Sequence, residues 1–198
     1  MNKIIKEALI LLAITLIAGV ALGLVYEVTK EPIAQANEKA KQEAYAAVYA
    51  DASFEKEETI AAKVKELGPN YDGATVDEAL VAKNAAGEVT GYVMSLTAKE
   101  GYGGKITLTM GVSKEGLITG LEVLEANETA GLGAKCKEPE FKSQFAGKHL
   151  ADPSTKMEVV KGGGASDTQV DAISGATITS RAITKAVNAG LQFVTALQ

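Results

Sequence analysis

"KITLTMGVSKEGLITGLEVLEA", Lys105 to Ala126, decides the architecture. Ile106, Leu108 and Met110 alternate with threonines, the two-residue period of a strand with one face on a core. "SKEG", Ser113 to Gly116, supplies a turn, and the run that follows completes an antiparallel hairpin. Upstream, "VDEALVAKNAAGEVTGYVMSLTAKE" repeats the design, two alternating runs joined by "NAAGE". Downstream, "PEFKSQFAGK" reads as a short helix, and "KMEVVK" and "TQVDAI" as strands on either side of Gly162 to Gly164. From about Ile178 the chain reads as a helix, with Ile183, Val187, Leu191 and Val194 on one face. No repeat of fixed period is visible. The expected class is α+β, an antiparallel sheet with flanking helices.

The first quarter is different. Ala8 to Val25 is an uncharged run in which Thr15 is the only polar side chain. Its 18 residues would span roughly 27 Å as a helix, near the thickness of a bilayer's hydrocarbon core. Signal-peptide cores are shorter, about 7–15 residues, and "GVALG" is a poor cleavage site. A retained anchor over 1–30 is therefore expected, with a domain over 31–198 whose residues 31–50 form a helical stalk or packing helix. Pro32 suits the first turn of that helix, and Ile33, Ala40, Ala44 and Val48 fall on one side of it. The charged stretch from there to about Thr75 carries no clear pattern. Lys3 and Lys6 precede the apolar run, which places the N-terminus in the cytoplasm and the domain on the extracytoplasmic side of an inner or plasma membrane.

A net charge of −5 without a basic cluster argues against a nucleic-acid surface. Single Cys136 and His149 exclude an internal disulfide and make no zinc site. No residue has the setting of a general acid, base or nucleophile, so no catalytic residue is assigned.

Three loops hold the candidate chemistry. In "EGYGGK", Glu100 to Lys105, glycines around Tyr102, Gly103 among them, let backbone approach a flat ligand; a bend between strands needs the same residues. In "NETAGLGAK", Glu128 and Thr129 offer an acceptor and a hydroxyl, and Gly131 and Gly133 flank Leu132. A strand-to-helix connection explains that loop equally well. In "VDAISGATITSRA", Ser174 sits where a helix N-cap would, and the free N–H groups beyond it favour an anion, as at any N-cap. A second Gly-Ala-Thr, ending at Thr75, has Glu78 three residues on, a capping-box spacing that gives it a structural role.

Taken in order, these loops resemble one family, the FMN-binding domain of the G subunit of Rnf complexes. The C subunit of the sodium-pumping NADH:quinone oxidoreductase shares it. The family's flavinylation motif, Asp-x-x-(Ser/Thr)-Gly-Ala-(Thr/Ser), is matched by Asp171, Ser174, Gly175, Ala176 and Thr177. The resemblance implies FMN bound covalently to Thr177 through a phosphoester, attached by a flavin transferase that uses FAD and magnesium, with Asp171 assisting the transfer. The earlier Gly-Ala-Thr has Asp72 and Pro69 at the motif's other two positions, so Thr75 is expected to stay unmodified. The family's Glu-Thr-Pro-Gly-Leu-Gly loop is present from Glu128 to Gly133 with Ala130 in place of proline.

The resemblance spans essentially the whole chain. It implies cofactor contacts at Tyr102, Gly103, Glu128, Thr129, Gly131, Leu132, Gly133, Ser174, Gly175 and Ala176, beside the tether. Lys161, next to three glycines, is a further candidate, near the pyrimidine end of the ring. The function implied is electron transfer within a membrane-bound, ion-translocating ferredoxin:NAD oxidoreductase, with the other subunits as partners. The rivals are the equivalent subunit of the quinone-reducing pump, a free-standing extracytoplasmic flavin carrier, and a cofactor-free anchored binding module.

Overall fold

The computed structural model describes residues 2–149, 155–164 and 166–197. It divides into two compact units, one running up to Ala40 and the other from Lys41 onward. The first is helical. Helix α1, Asn2–Val48, begins there, and within it lies an exposed apolar stretch. That stretch is long and apolar enough to cross a membrane once. Pro32 lies inside α1 and does not start a new helix. The ring removes one N–H, so the carbonyl of Val28 loses its partner, but good helix formers on both sides carry the helix through.

In the second unit, β1 (Ser53–Glu55), β2 (Ala74–Lys83), β3 (Val89–Gly101), β4 (Gly104–Ser113) and β5 (Ile118–Ala126) form one antiparallel sheet in that order. Both hairpins fall where the alternation placed them. In the first, Asn84 closes the turn, its side chain accepting from the N–H groups of Ala86 and Glu88. The unpatterned stretch before β2 contains α2, Glu58–Leu67, of which only Ile60 is buried. Thr75 is in β2, not at a helix start, and its hydroxyl donates to Asp77 (2.8 Å); the capping-box reading is corrected.

The inner face of the sheet, with Met94, Leu96, Ile106, Leu108 and Met110 fully buried, packs on α4, Thr177–Thr195. Ile183, Val187, Leu191 and Val194 of α4 all enter that core. The outer face is covered at one end by the last turns of α1, where Tyr45 and Val48 bury against Leu80 and Val93. Gly120 makes room for them, since a Cβ there would lie 2.9 Å from Val48 Cα. That cover also explains why Thr109, expected on a half-exposed strand, is fully buried. Lys41 and Tyr45 of the same turns bind the Glu78 carboxylate. Burial alone would raise that group's pKa, but the Lys41 ammonium, with Tyr45 and Lys56, outweighs it and holds it below its ordinary value.

After β5 come a 3-10 turn (Gly133–Lys137) and α3 (Pro139–Lys142). Strands β6 (Glu158–Val160) and β7 (Gln169–Asp171) then form a separate two-stranded sheet, and they run parallel. The loops that leave β6 and β7 therefore emerge at the same end. A cleft lies between them.

Candidate functional site

The cleft holds about 810 Å³ and gathers residues far apart in sequence: Tyr102; Glu128, Thr129, Leu132 and Gly133; Lys161 to Gly163; and Ala172 to Thr179. A small-molecule site commonly measures about 300–1,000 Å³, and the carboxyl ends of parallel strands are where such sites form.

One carboxylate ties the segments together. Glu128 Oε1 accepts the Gly103 N–H (3.0 Å), and Glu128 Oε2 accepts the Thr179 hydroxyl (2.7 Å). The β3–β4 turn, the loop after β5 and the first turn of α4 thus meet at one side chain. The glycines fit that junction. A Cβ on Gly103 would fall 1.9 Å from the carbonyl oxygen of Asn127, and one on Gly133 2.5 Å from Glu128 Oε2 and 2.7 Å from Thr179 Oγ1. Gly131 has open space around it, and its requirement is conformational, with φ at +74°.

The start of α4 differs from the sequence reading. Ser174 is exposed and is not the N-cap; Ala176 is, and no side chain caps the helix. Ser174 and Gly175 instead occupy a tight turn closed by Ala176 N–H to the Ile173 carbonyl (2.9 Å), with Gly175 at φ +75°. An alanine in that position forgoes about 1 kcal/mol relative to a capping side chain. The first backbone bond into the helix is Ser180 N–H to the Ala176 carbonyl (3.1 Å), which leaves the N–H groups of Thr177, Ile178 and Thr179 ahead of the ladder. Thr177 is the first helical residue, half-buried, on the cleft wall. Ser180, fully buried, holds the turn from inside: its Oγ accepts the Ile173 N–H and donates to the Ala176 carbonyl, both at 3.0 Å.

Of the candidate residues, Tyr102, Glu128, Thr129, Leu132, Gly133, Lys161 and Ser174 to Thr177 all line the cleft. Gly103 and Gly131 do not; they shape the loops behind it. Asp171 lies on the other side of its own loop, in a groove of about 290 Å³ that it shares with Lys135, Glu138 and Gln144. The sequence reading missed Ile178, which is 54% exposed at the mouth, and Thr179, which is 1% exposed. With Tyr102 (70%) and Leu132 (44%), Ile178 gives the mouth an apolar rim. Behind it, Cys136 is buried; burial, then the Glu128 carboxylate, push its thiol pKa up. Among the described residues no cluster of His, Cys, Asp and Glu could hold a metal ion.

Residues 101–192 match the FMN-binding domain family, and residues 1–48 match the RnfG N-terminal region. The chain is 34% identical, over 96% of its length and 90% of the relative's, to the G subunit of the Na⁺-translocating ferredoxin:NAD⁺ oxidoreductase complex of Acetobacterium woodii. It is 32% identical, over 98% of its length and 96% of the relative's, to the G subunit of an ion-translocating oxidoreductase complex of Methanosarcina acetivorans. The crystal structure of NqrC from Shewanella oneidensis superposes with a TM-score of 0.53 at 28% identity, over 60% of this chain and 59% of that one. An apolar N-terminal helix, the antiparallel sheet and a cleft built by these loops accompany those matches, and the chain belongs to the G-subunit family of Rnf-type ion-translocating oxidoreductase complexes, with an FMN-binding domain after its N-terminal region.

Proposed function

We propose that this chain is the electron-transfer subunit of a membrane-bound ferredoxin:NAD oxidoreductase, holding FMN by a phosphoester to Thr177. The observation that carries the reading is the place of that hydroxyl: the first residue of α4, on the cleft wall, at a helix start that no side chain caps. A helix start favours an anion, because its leading N–H groups lack acceptors and its dipole adds to them. A phosphate ester on Thr177 would meet both.

The remaining residues fit a flavin. Leu132, Ile178 and Tyr102 offer apolar surface to a flat ring, and Glu128, Thr129 and the backbone around them offer a polar edge. Lys161 puts a positive charge in the cleft lining, where it favours added electrons. FMN, when bound, supplies one-electron acceptance and release; the protein supplies the tether, the orientation and partial exclusion of water. Asp171 lies off the cleft, which suits a role in loading and not in holding the ring. A transferase drawing on FAD and magnesium would reach Thr177 past the small side chains of Ser174 to Ala176. Full-length likeness to G subunits favours the Rnf setting over the quinone-reducing pump. The test is the mass of the full chain made together with the transferase. One FMN less one water is expected on the tryptic peptide 162–181, and a colourless chain of unmodified mass overturns the reading.

In the same reading residues 1–30 anchor a single-pass protein with its N-terminus in the cytoplasm, and residues 31–198 lie outside with the cofactor. Glu115→Cys, in the exposed β4–β5 turn, is expected to react with an impermeant maleimide on intact cells. Cys136 gives no background, being buried with a raised thiol pKa. Labelling only after lysis would reverse the orientation.

A further inference from the structure

A two-stranded sheet is marginal by itself, and a parallel one slightly more so. Strands β6 and β7 nonetheless carry two of the loops that line the cleft, and each is braced by a carboxamide. On one flank, Asn188 of α4 accepts the Met157 N–H (2.8 Å) and donates to the Met157 carbonyl (3.0 Å), just before β6. On the other, Gln144 accepts the Asp171 N–H (2.7 Å) and donates to the Asp171 carbonyl (3.4 Å), at the last residue of β7. Each side chain does what a neighbouring strand would do.

Gln144 is itself firmly placed. In sequence it lies between Phe141 and Phe145, both buried in the main core and packed edge to face on each other with centroids 5.5 Å apart. Lys142, two residues before it, is paired with Glu122 of β5 at 2.6 Å. Gln144 therefore links the main sheet to the end of β7. Beyond Asp171 the wall is one chain thick: Ala172, Ile173 and Ser174 line the cleft on one side and the groove containing Gln144 on the other. Ser180 pins the far end of that wall at Ile173 and Ala176.

We infer that Gln144 is a positioning residue for the acceptor loop, fixing where β7 ends and so where the Thr177 hydroxyl is presented. The inference rests on Thr177 being the attachment point. Group transfer to a hydroxyl depends on placement, and a displacement of about 1 Å can slow such a step by up to roughly a hundredfold. A purely structural side chain would change melting temperature and leave the rate of loading unaltered.

The experiment follows the rate at which the purified full chain gains flavin from FAD, magnesium and transferase, in wild type, Gln144→Met and Gln144→Glu. Methionine keeps the length and apolar bulk but neither hydrogen bond; glutamate keeps the oxygen that accepts the Asp171 N–H and loses the donor to the Asp171 carbonyl. We expect about tenfold slower loading in Gln144→Met and a rate between that and wild type in Gln144→Glu. Hydrogen exchange at the Asp171 amide should accelerate in the methionine variant alone. Equal loading rates in all three chains overturn the positioning role, as does a glutamate variant as slow as the methionine one. If Gln144→Met fails to fold, Gln144→Ala, which also lacks both hydrogen bonds to Asp171, takes its place in the comparison. A wild-type chain that takes no flavin on Thr177 is a different failure, of the attachment site itself, and removes the inference with it.

Discussion

Valine at position 133 is expected to dismantle the cleft and reduce flavin content at least tenfold in chains that still fold. The Gly133 Cα faces Glu128 and Thr179 so closely that even a first carbon meets both side-chain oxygens and lies 2.9 Å from Glu128 Cβ. Two further methyl groups leave the carboxylate no position from which to hold Gly103 and Thr179 together. Overpacking of this kind costs about 1–3 kcal/mol. Each hydrogen bond lost to a charged group adds about 1.5–3 kcal/mol. The measurement is flavin absorbance per chain, with thermal unfolding alongside. The predicted pattern is a lower melting temperature together with lost flavin. Wild-type values for both would mean that the Glu128 junction does not organise the site. Gly131 provides the contrast. Its surroundings are open and its constraint is the positive φ, so Gly131→Ala should cost only the strain of a left-handed alanine, about 1–2 kcal/mol.

This contrast marks how far the sequence could be read. The two glycines looked alike in "AGLGA", and only the distances separate a steric requirement from a conformational one. The hairpins were legible because period-two alternation and turn residues are local signals, carried by Ile106, Leu108 and Met110 and by Asn84 and Gly116. Helix α2 was not, because its apolar stripe, Ile60, Val64 and Leu67, is one side chain wide among charges. The two short strands were found, but a sequence cannot show that three-residue strands run parallel, and so could not show that their loops meet.

The junction at Glu128 was beyond reach for a related reason. Thr179 is 51 residues away, and a threonine after Gly-Ala-Thr-Ile gives no hint of a long-range partner. The motif itself supplied Thr177 but misplaced the helix start. Ser174 has the right chemistry for an N-cap, yet the left-handed Gly175 turns the chain so that Ala176 takes that position. For mutagenesis, Ser174→Ala should leave helix stability nearly unchanged, since no cap is lost; thermal unfolding checks it.

Thr177 carries the central claim. Its replacement by alanine removes the hydroxyl at the first position of α4 while keeping a good helix former there, so the fold should survive. Serine offers a hydroxyl of similar reach and should keep part of the flavin. Thr75 belongs to the other Gly-Ala-Thr, within β2, where its hydroxyl is engaged by Asp77. The deciding measurement is intact mass with in-gel flavin fluorescence after denaturation, for wild type, Thr177→Ala, Thr177→Ser and Thr75→Ala, each produced with the transferase. The account predicts one FMN less one water on the wild-type and Thr75→Ala chains, a partial increment on Thr177→Ser, and none on Thr177→Ala. A full increment on Thr177→Ala would contradict it.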